Sequence, residues 1–215
     1  DALQRLIDRE EIRDLMGHYA RSVDRADWEG VRAVYHQDAH DDHGDYKGGV
    51  DGLIEFIRDR NGLLPQSVHF LGNCLIEFAA ADLAVVETYF ITSHTLGEAA
   101  RTEYGVGEGV SSVQFCQFGR YVDRVERRGG PWRIADRIVV FESTRIQRED
   151  IPSLKPDWAP LRRDKDDPIF KMRAGGARAP KKLRKTCAKV RARGRWHARS
   201  AEIRHPPFEG GCVAC

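Results

Sequence analysis

Four long β-type runs in close succession constrain the fold of this chain more than any other feature of its sequence. Each run is rich in Val, Ile, Phe, Tyr and Thr, and turn residues separate it from the next. The four runs are residues 67–80, 83–96, 110–126 and 132–146. The link "RRGGPW" between the last two is short enough only for a hairpin, so the sequence predicts a mostly antiparallel sheet.

The residues before these runs carry helical patterning. Apolar residues recur at three- and four-residue steps over residues 2–25, which predicts one long helix. Asp27 is predicted to cap a short second helix, and a third is predicted over residues 50–60. Three helices followed by a long sheet indicate an α+β fold. Because the strands are apolar on both faces, we expect the sheet to curve around the helices and leave an internal cavity.

The chain divides into two parts of opposite charge. Residues 174–215 contain 11 Lys or Arg and two Asp or Glu, whereas residues 1–173 contain 24 basic and 31 acidic side chains. This break predicts a folded domain over residues 1–146 and a basic tail, disordered or non-native, over residues 174–215. The proline-rich residues 147–173 are expected to wrap the domain as an extended segment.

Several classes of protein are disfavoured by composition. No run of 18 apolar residues exists, so a membrane span is not expected, and the charged N-terminus is unlike a secretory signal peptide. Five cysteines without regular spacing argue against a disulfide scaffold and favour a reducing compartment, so we expect a cytoplasmic protein.

The basic tail suggests two further activities, and neither is favoured. Its charge and Trp196 could serve nucleic-acid binding, and "CVAC" with Cys187, His197 or His205 could form a zinc site. The tail has no interleaved aromatic residues and no second CxxC. A non-native extension explains the change of charge equally well.

The stretch "QSVHFLGN" places His69 within an apolar strand, where an imidazole has no evident structural use. Taken alone, His69 fits a core histidine bonded to the backbone, and Asp24 fits a solvated residue at a helix end. Taken together they suggest a base, because a carboxylate that accepts from one ring nitrogen fixes the tautomer and stabilises the cation. The other nitrogen can then take a proton from a carbon or a hydroxyl group.

Three stretches carry a resemblance to a known family. "YARSVDRADWEGVRAVY", "QSVHFLGN" and "VERRGGPWRI" resemble the SnoaL-like, nuclear-transport-factor-two-like superfamily over residues 1–146. The pattern is most similar to the branch of scytalone dehydratase, lindane dehydrochlorinase and bile-acid dehydratase. This resemblance implies a cystatin-like, cone-shaped barrel closed by three N-terminal helices. It also implies catalytic roles for Asp24, near the end of helix one, and His69, on the first long strand.

The same resemblance implies substrate-binding residues. His94 occupies the place of a second active-site histidine on the following strand. His43 and Val23 stand where scytalone dehydratase has two tyrosines, so this chain lacks that tyrosine pair. We interpret His43 as a hydrogen-bond donor at the cavity mouth. Tyr19, one helical turn before Val23, completes the predicted binding residues, although its position also suits the core.

The stretch "YHQDAHDDHGDY" raises the possibility of a metal site. It contains three histidines and four aspartates within twelve residues, namely His36, Asp38, His40, Asp41, Asp42, His43 and Asp45. Their spacing matches no closed zinc pattern, and a polar connection of this kind is commonly solvated. We therefore predict no metal and interpret the stretch as a polar, glycine-bearing connection.

These features predict a lyase that needs no cofactor and acts on a small hydrophobic, oxygenated substrate of aromatic or steroid type. Dehydration is the first expectation and a retro-aldol cleavage the second, and the same His–Asp pair could also serve an isomerase or epimerase. The alternative is a non-catalytic ligand carrier or an accessory subunit, for example one supporting an oxygenase. The resemblance also implies a homotrimer or homodimer, and the apolar outer faces of the predicted sheet are expected to need cover.

Overall fold

The structure, a computed structural model, describes residues 1–103, 105, 113–148 and 155–174. These residues belong to one compact unit, Asp1–Gly176. The predicted disordered tail, its nucleic-acid interaction and its zinc site lie outside the described residues.

The three predicted helices are present, with ends set by identifiable caps. Helix α1, Ala2–Asp24, begins where the Asp1 side chain accepts from the Leu3 backbone N–H. Asp27 caps α2, Trp28–Ala33, by accepting from the Gly30 N–H at 3.1 Å. Helix α3 spans Val50–Gly62. Because Ala26 takes the left-handed conformation at φ 53°, the chain turns sharply between α1 and α2, just after Asp24, whose side chain is buried.

Six strands form one mixed sheet in the order β2-β1-β6-β5-β4-β3. The strands are β1 Tyr35–Asp42, β2 Lys47–Gly49, β3 Gln66–Phe78, β4 Leu83–Leu96, β5 Val113–Arg127 and β6 Trp132–Gln147. Among the strand pairs of the described residues, β1–β6 is parallel and the others are antiparallel. The α+β class and the four predicted strands are confirmed, and the sheet curls around the helices without closing.

The connection predicted between the second and third helices is wrong. Residues 35–42 and 47–49 are strands, which pair antiparallel with each other. Tyr35, Ala39 and Asp41 are buried at alternate positions of β1, as a half-buried strand requires. The sequence does not reveal this alternation of buried and exposed residues, because one inward residue, Asp41, is a carboxylate. Hydrogen bonds to its oxygens make its burial possible.

Two further helices depart from the predictions. Helix α4, Glu98–Glu103, lies in the connection that was predicted to be a loop. Helix α5, Pro168–Ala174, lies in the segment that was predicted to be extended. Among the helices that the structure describes, none is long and apolar enough to cross a membrane.

The core lies between the helices and the concave face of the sheet. Buried side chains of α1 and α3, such as Ile12, Tyr19 and Leu53, pack against strand residues such as Val86 and Ile134. The register shifts within β1–β6, β3–β4 and β5–β6 mark bulges, which bend strands and increase their twist. The resulting curvature opens a space between the sheet and the end of α1.

The described part of the C-terminal segment is anchored beside the end of α1. Arg163 donates to the backbone carbonyls of Asn61 and Leu64, both at 2.8 Å. Asp167, which is buried, pairs with Arg25 at 3.1 Å. These contacts connect residues 155–174 to the C-terminal ends of α1 and α3. The predicted division of the chain at residues 146 and 174 stays a prediction.

Candidate active site

Asp24 and His69 meet at the junction of α1 and β3 through two hydrogen bonds. The His69 ring nitrogen Nδ1 lies 2.7 Å from Asp24 Oδ1, and the His69 backbone N–H donates to Oδ2 at 3.0 Å. The carboxylate is thus held at both oxygens, and it is 6% exposed. Because a carboxylate only accepts, Nδ1 carries the proton and Nε2 keeps its lone pair. Within the described residues, Nε2 has no hydrogen-bond partner.

The His69 ring lines a small chamber of about 30 Å³ that is partly open to solvent. The floor of the chamber is the concave sheet face, where His69, Thr92 and Gln117 are direct neighbours across β3, β4 and β5. Apolar side chains cover much of the remaining wall, including Val23, Ile57, Phe90 and Phe141. The arrangement places three histidines and several other polar side chains beside an apolar wall.

A second cavity of about 690 Å³ adjoins the chamber and forms its mouth. The two spaces share His43, Arg60, Gln117 and Phe141. The mouth is otherwise lined mainly by apolar side chains of α3 and the following turn, such as Phe56 and Leu63. A hydrophobic molecule therefore has a route from solvent to His69.

His94 lies deeper on β4 and is held by Ser67, whose hydroxyl oxygen is 3.0 Å from Nδ1. Burial lowers the pKa of His94 from 6.5 to about 2, and the positive charges of Arg60, His69 and Arg163 act in the same direction. The ring is consequently neutral at physiological pH. It can donate or accept a hydrogen bond in the chamber, but it does not hold a second proton for transfer.

A second histidine–carboxylate pair faces the chamber from β1. His43 Nδ1 lies 3.0 Å from Oδ1 of Asp41, whose other oxygen accepts from the Tyr35 hydroxyl at 2.7 Å. Burial disfavours the Asp41 charge, but the His43 hydrogen bond and the charges of His43 and Arg137 hold the Asp41 pKa below its ordinary value. Sequence analysis missed this pairing, which joins Asp41 near the end of β1 to His43 just beyond it.

A buried arginine supports the inner end of the chamber. Arg137 donates to both carboxylate oxygens of Asp123, at 2.6 and 2.7 Å, and neither side chain is exposed. Its guanidinium lies 4.2 Å from the Tyr19 ring centre and 4.1 Å from that of Tyr121. Both rings line the chamber, and burial raises the pKa of both phenols, so they remain neutral.

The comparison with known families agrees with this geometry. The model described as "SnoaL-like domain" matches residues 4–138, more than half of the chain. The chain belongs to the SnoaL-like family. The resemblance inferred from the sequence is thereby confirmed.

Solved structures share the SnoaL-like fold at low sequence identity. "Putative Scytalone Dehydratase" from Novosphingobium aromaticivorans DSM 12444 is 16% identical with a TM-score of 0.57, and the match covers 74% of this chain and 99% of that one. Hexachlorocyclohexane dehydrochlorinase LinA-type3 from Novosphingobium barchaimii LL02 is 19% identical with a TM-score of 0.61. That match covers 73% of this chain and 100% of the dehydrochlorinase chain. At these identities the likeness shows the fold alone. No curated protein matches the sequence significantly.

The structure brings the predicted site residues of this SnoaL-like domain together. Tyr19, His43, His69 and His94 all line the chamber, and Asp24 touches it through His69. Tyr19 is also a core residue, since its ring packs edge-on against two other tyrosines. The roles assigned to these residues stay predictions.

The histidines and aspartates of the β1 region are divided between the two sides of the sheet. His36 bonds to the Glu126 backbone carbonyl at 3.1 Å, and His40 lies 3.7 Å from Asp136. Across residues 1–103, 105, 113–148 and 155–174, no group of three or more His, Cys, Asp or Glu side chains is placed to hold a metal ion.

The buried, neutral His94 makes stability depend on pH. The unfolded chain binds a proton at His94 below its ordinary pKa of 6.5, whereas the folded chain does so only near pH 2. The contribution of His94 to the free energy of unfolding is therefore fully present above pH 6.5 and is lost progressively as the pH falls below 6.5. Between pH 7 and 5.5 we expect the unfolding free energy to fall by about 1 kcal/mol more in wild type than in His94→Asn. Urea unfolding at the two pH values measures the difference, and equal losses in both proteins would contradict it.

Proposed function

We propose that this chain is a cofactor-independent lyase that eliminates water, or a comparable leaving group, from a small hydrophobic, oxygenated substrate. One observation carries the proposal: Asp24 holds His69 at two points and leaves Nε2 facing a largely apolar chamber. Family membership supports it, because structures with this fold are named as a dehydratase and as a dehydrochlorinase. An aromatic or steroid-like compound would occupy the larger cavity at the mouth and extend its reacting end into the small chamber.

In the proposed dehydration, His69 Nε2 takes a proton from a carbon next to a carbonyl group. The electron pair of that C–H bond becomes the new C=C bond as the neighbouring C–O bond breaks. The departing oxygen takes up the proton that His69 removed and leaves as water, which returns His69 to its neutral form, and the Asp24 carboxylate stabilises the imidazolium in between. His43, backed by Asp41, is the residue proposed to assist the departing oxygen, and the neutral His94 serves as a hydrogen-bond partner.

The retro-aldol alternative uses the same base on a different proton. His69 would remove the proton of a β-hydroxyl group, the C–C bond would break, and its electron pair would pass to the carbon next to the carbonyl group. The products are an aldehyde and, after protonation of that carbon, the shortened ketone. An isomerase would instead return the proton to another carbon of the same molecule.

A panel of aromatic and alicyclic β-hydroxy ketones, with the matching β-chloro ketones, tests the proposal. Mass spectrometry distinguishes loss of water or hydrogen chloride, release of an aldehyde, and isomerisation without change of mass. We expect at least one compound to lose water or hydrogen chloride faster than in buffer. Binding of panel members without any turnover would contradict the lyase proposal and favour the ligand carrier.

We also propose that the protein assembles as a homotrimer or homodimer through the outer face of its sheet. Phe70 is 70% exposed there, beside the half-exposed Val68, Tyr89 and Ile91 of β3 and β4. An apolar patch of this kind is uncommon on a monomer. We expect Phe70→Glu to reduce the mass measured by light scattering to that of one chain, whereas Leu3→Glu on the exposed face of α1 leaves it unchanged. A monomeric wild type, or an unchanged mass in Phe70→Glu, would refute the assignment.

A further inference from the structure

The Thr92 hydroxyl is a buried polar group without a partner at the centre of the chamber. Thr92 lies in the middle of β4, directly between His69 and Gln117 on the neighbouring strands. The residue is 4% exposed, and its Oγ1 has no hydrogen-bond partner among the described residues. It lines the same chamber as the His69 ring.

Neighbouring polar side chains in the chamber are bonded. Ser67 bonds to His94, and the Asn61 side-chain amide donates to the Val23 carbonyl at 3.2 Å. A buried hydroxyl left without a partner is destabilising, and native proteins retain few of them. Valine has nearly the same shape and suits a buried strand better. An unpaired threonine at this position is therefore explained if a ligand supplies its partner.

The polar groups next to Thr92 favour a ligand atom that accepts hydrogen bonds. Gln117 Oε1 accepts from Arg60 Nη2 at 2.8 Å, so the Gln117 amide presents N–H donors beyond that contact. His69 lies on the other side of Thr92, with Nε2 free to take a proton. A ligand oxygen that accepts a hydrogen bond from Thr92 would thus lie between the N–H donors of Gln117 and the base, His69 Nε2.

We propose that Thr92 donates a hydrogen bond to the carbonyl oxygen of the substrate and thereby places the adjacent carbon at His69 Nε2. This inference rests on the proposed function and adds the residue that would bind the carbonyl oxygen. Removal of a proton next to a carbonyl group moves negative charge onto the carbonyl oxygen. A donor fixed in an apolar site stabilises that charge more strongly than water does.

Binding of 1-tetralone and tetralin tests the inference without requiring turnover. The two molecules share a carbon skeleton and differ by one carbonyl group. We expect wild type to bind 1-tetralone more tightly than tetralin, and Thr92→Val to reduce this preference about tenfold, which is the size expected for one hydrogen bond. Thr92→Ser restores the hydroxyl and should recover most of the preference. Isothermal titration calorimetry measures both affinities, and thermal melting confirms that each variant is folded.

Thr88→Val is the matched control, because Thr88 is buried on the same strand and bonds to Cys74 Sγ at 3.5 Å. We expect it to keep the wild-type preference. An unchanged preference in Thr92→Val, or equal binding of both molecules to wild type, would overturn the inference. A preference that depends on Thr92 without turnover of any panel compound would support the contact and contradict the lyase.

Discussion

Replacing His69 by alanine is expected to lower turnover roughly 10²–10⁴-fold on any compound that the β-hydroxy ketone panel identifies. The loss follows because His69 Nε2 is the proposed base and because its ring is held in one orientation by Asp24 at 2.7 Å. The substitution removes a partly buried side chain from a chamber wall, so the fold should survive. Initial rates of product formation, with circular dichroism as a folding check, measure the effect.

Asp24→Asn should also lower turnover, because an amide cannot stabilise an imidazolium as a carboxylate does. The double variant should be little worse than His69→Ala alone, since residues that act as one unit do not contribute additively. His40→Ala is the matched control: His40 also faces an aspartate, Asp136, but its side chain is 57% exposed and lies outside the chamber. We expect His40→Ala to keep wild-type rates. Near-wild-type turnover in both His69→Ala and Asp24→Asn would refute the assignment.

Arg137→Met is expected to destabilise the protein by about 3–5 kcal/mol, because it leaves the Asp123 carboxylate buried without its partner. Both Asp123 oxygens are bonded to this guanidinium, and burial already raises the pKa of Asp123. The rings of Tyr19 and Tyr121 also lose the cation on which they pack. Urea unfolding of wild type and variant at pH 7 measures the loss.

Two variants separate the buried pair from a general effect of losing an arginine. Arg162→Met removes an exposed guanidinium that also bonds to both oxygens of one aspartate, Asp164, and we expect no measurable loss. Arg137→Met combined with Asp123→Leu should recover part of the stability, since removing both charges leaves no unpaired one. A loss below about 1 kcal/mol in Arg137→Met would mean that the pair does not support the chamber.

The helices and long strands were predictable from the sequence because their side chains follow simple periods. The β1–β2 hairpin was not, because β1 buries Asp41, and its stretch of histidines and aspartates looked like a solvated connection. Asp41 is tolerated inside because Tyr35 and His43 bond to its oxygens. Hydrogen bonding from Tyr35 on the same strand and from His43 just beyond it thus allows a polar residue at a buried strand position.

The Arg137–Asp123 pair shows why register limits prediction from sequence. Near the hairpin turn, Glu126 faces Arg133, and extending that register along the strands would bring Asp123 opposite Asp136. A bulge between Arg124 and Val125 shifts the pairing by one residue and brings Arg137 opposite Asp123 instead. The sequence contains both residues but does not locate the bulge.

The predicted site residues came from a family resemblance and a chemical argument, and the structure gathers them around one chamber. Other polar groups of the chamber, such as the Thr92 hydroxyl, could not be predicted from the resemblance or from the chemical argument. Thr92 looks like an ordinary strand residue until the strands are paired, and only then does its hydroxyl lie beside His69 without a partner. Such contacts depend on side chains from several elements whose relative placement the sequence does not give.

The central claim is that His69, oriented by Asp24, takes a proton from a ligand in the chamber. Proton exchange at the carbon next to the carbonyl group of 1-tetralone in D2O, followed by proton NMR, tests this claim most directly. Wild type and His69→Ala are compared at matched ligand occupancy, with buffer alone as the reference. Faster exchange with wild type than with His69→Ala or buffer is the predicted result, and equal exchange rates for the two proteins would contradict the claim.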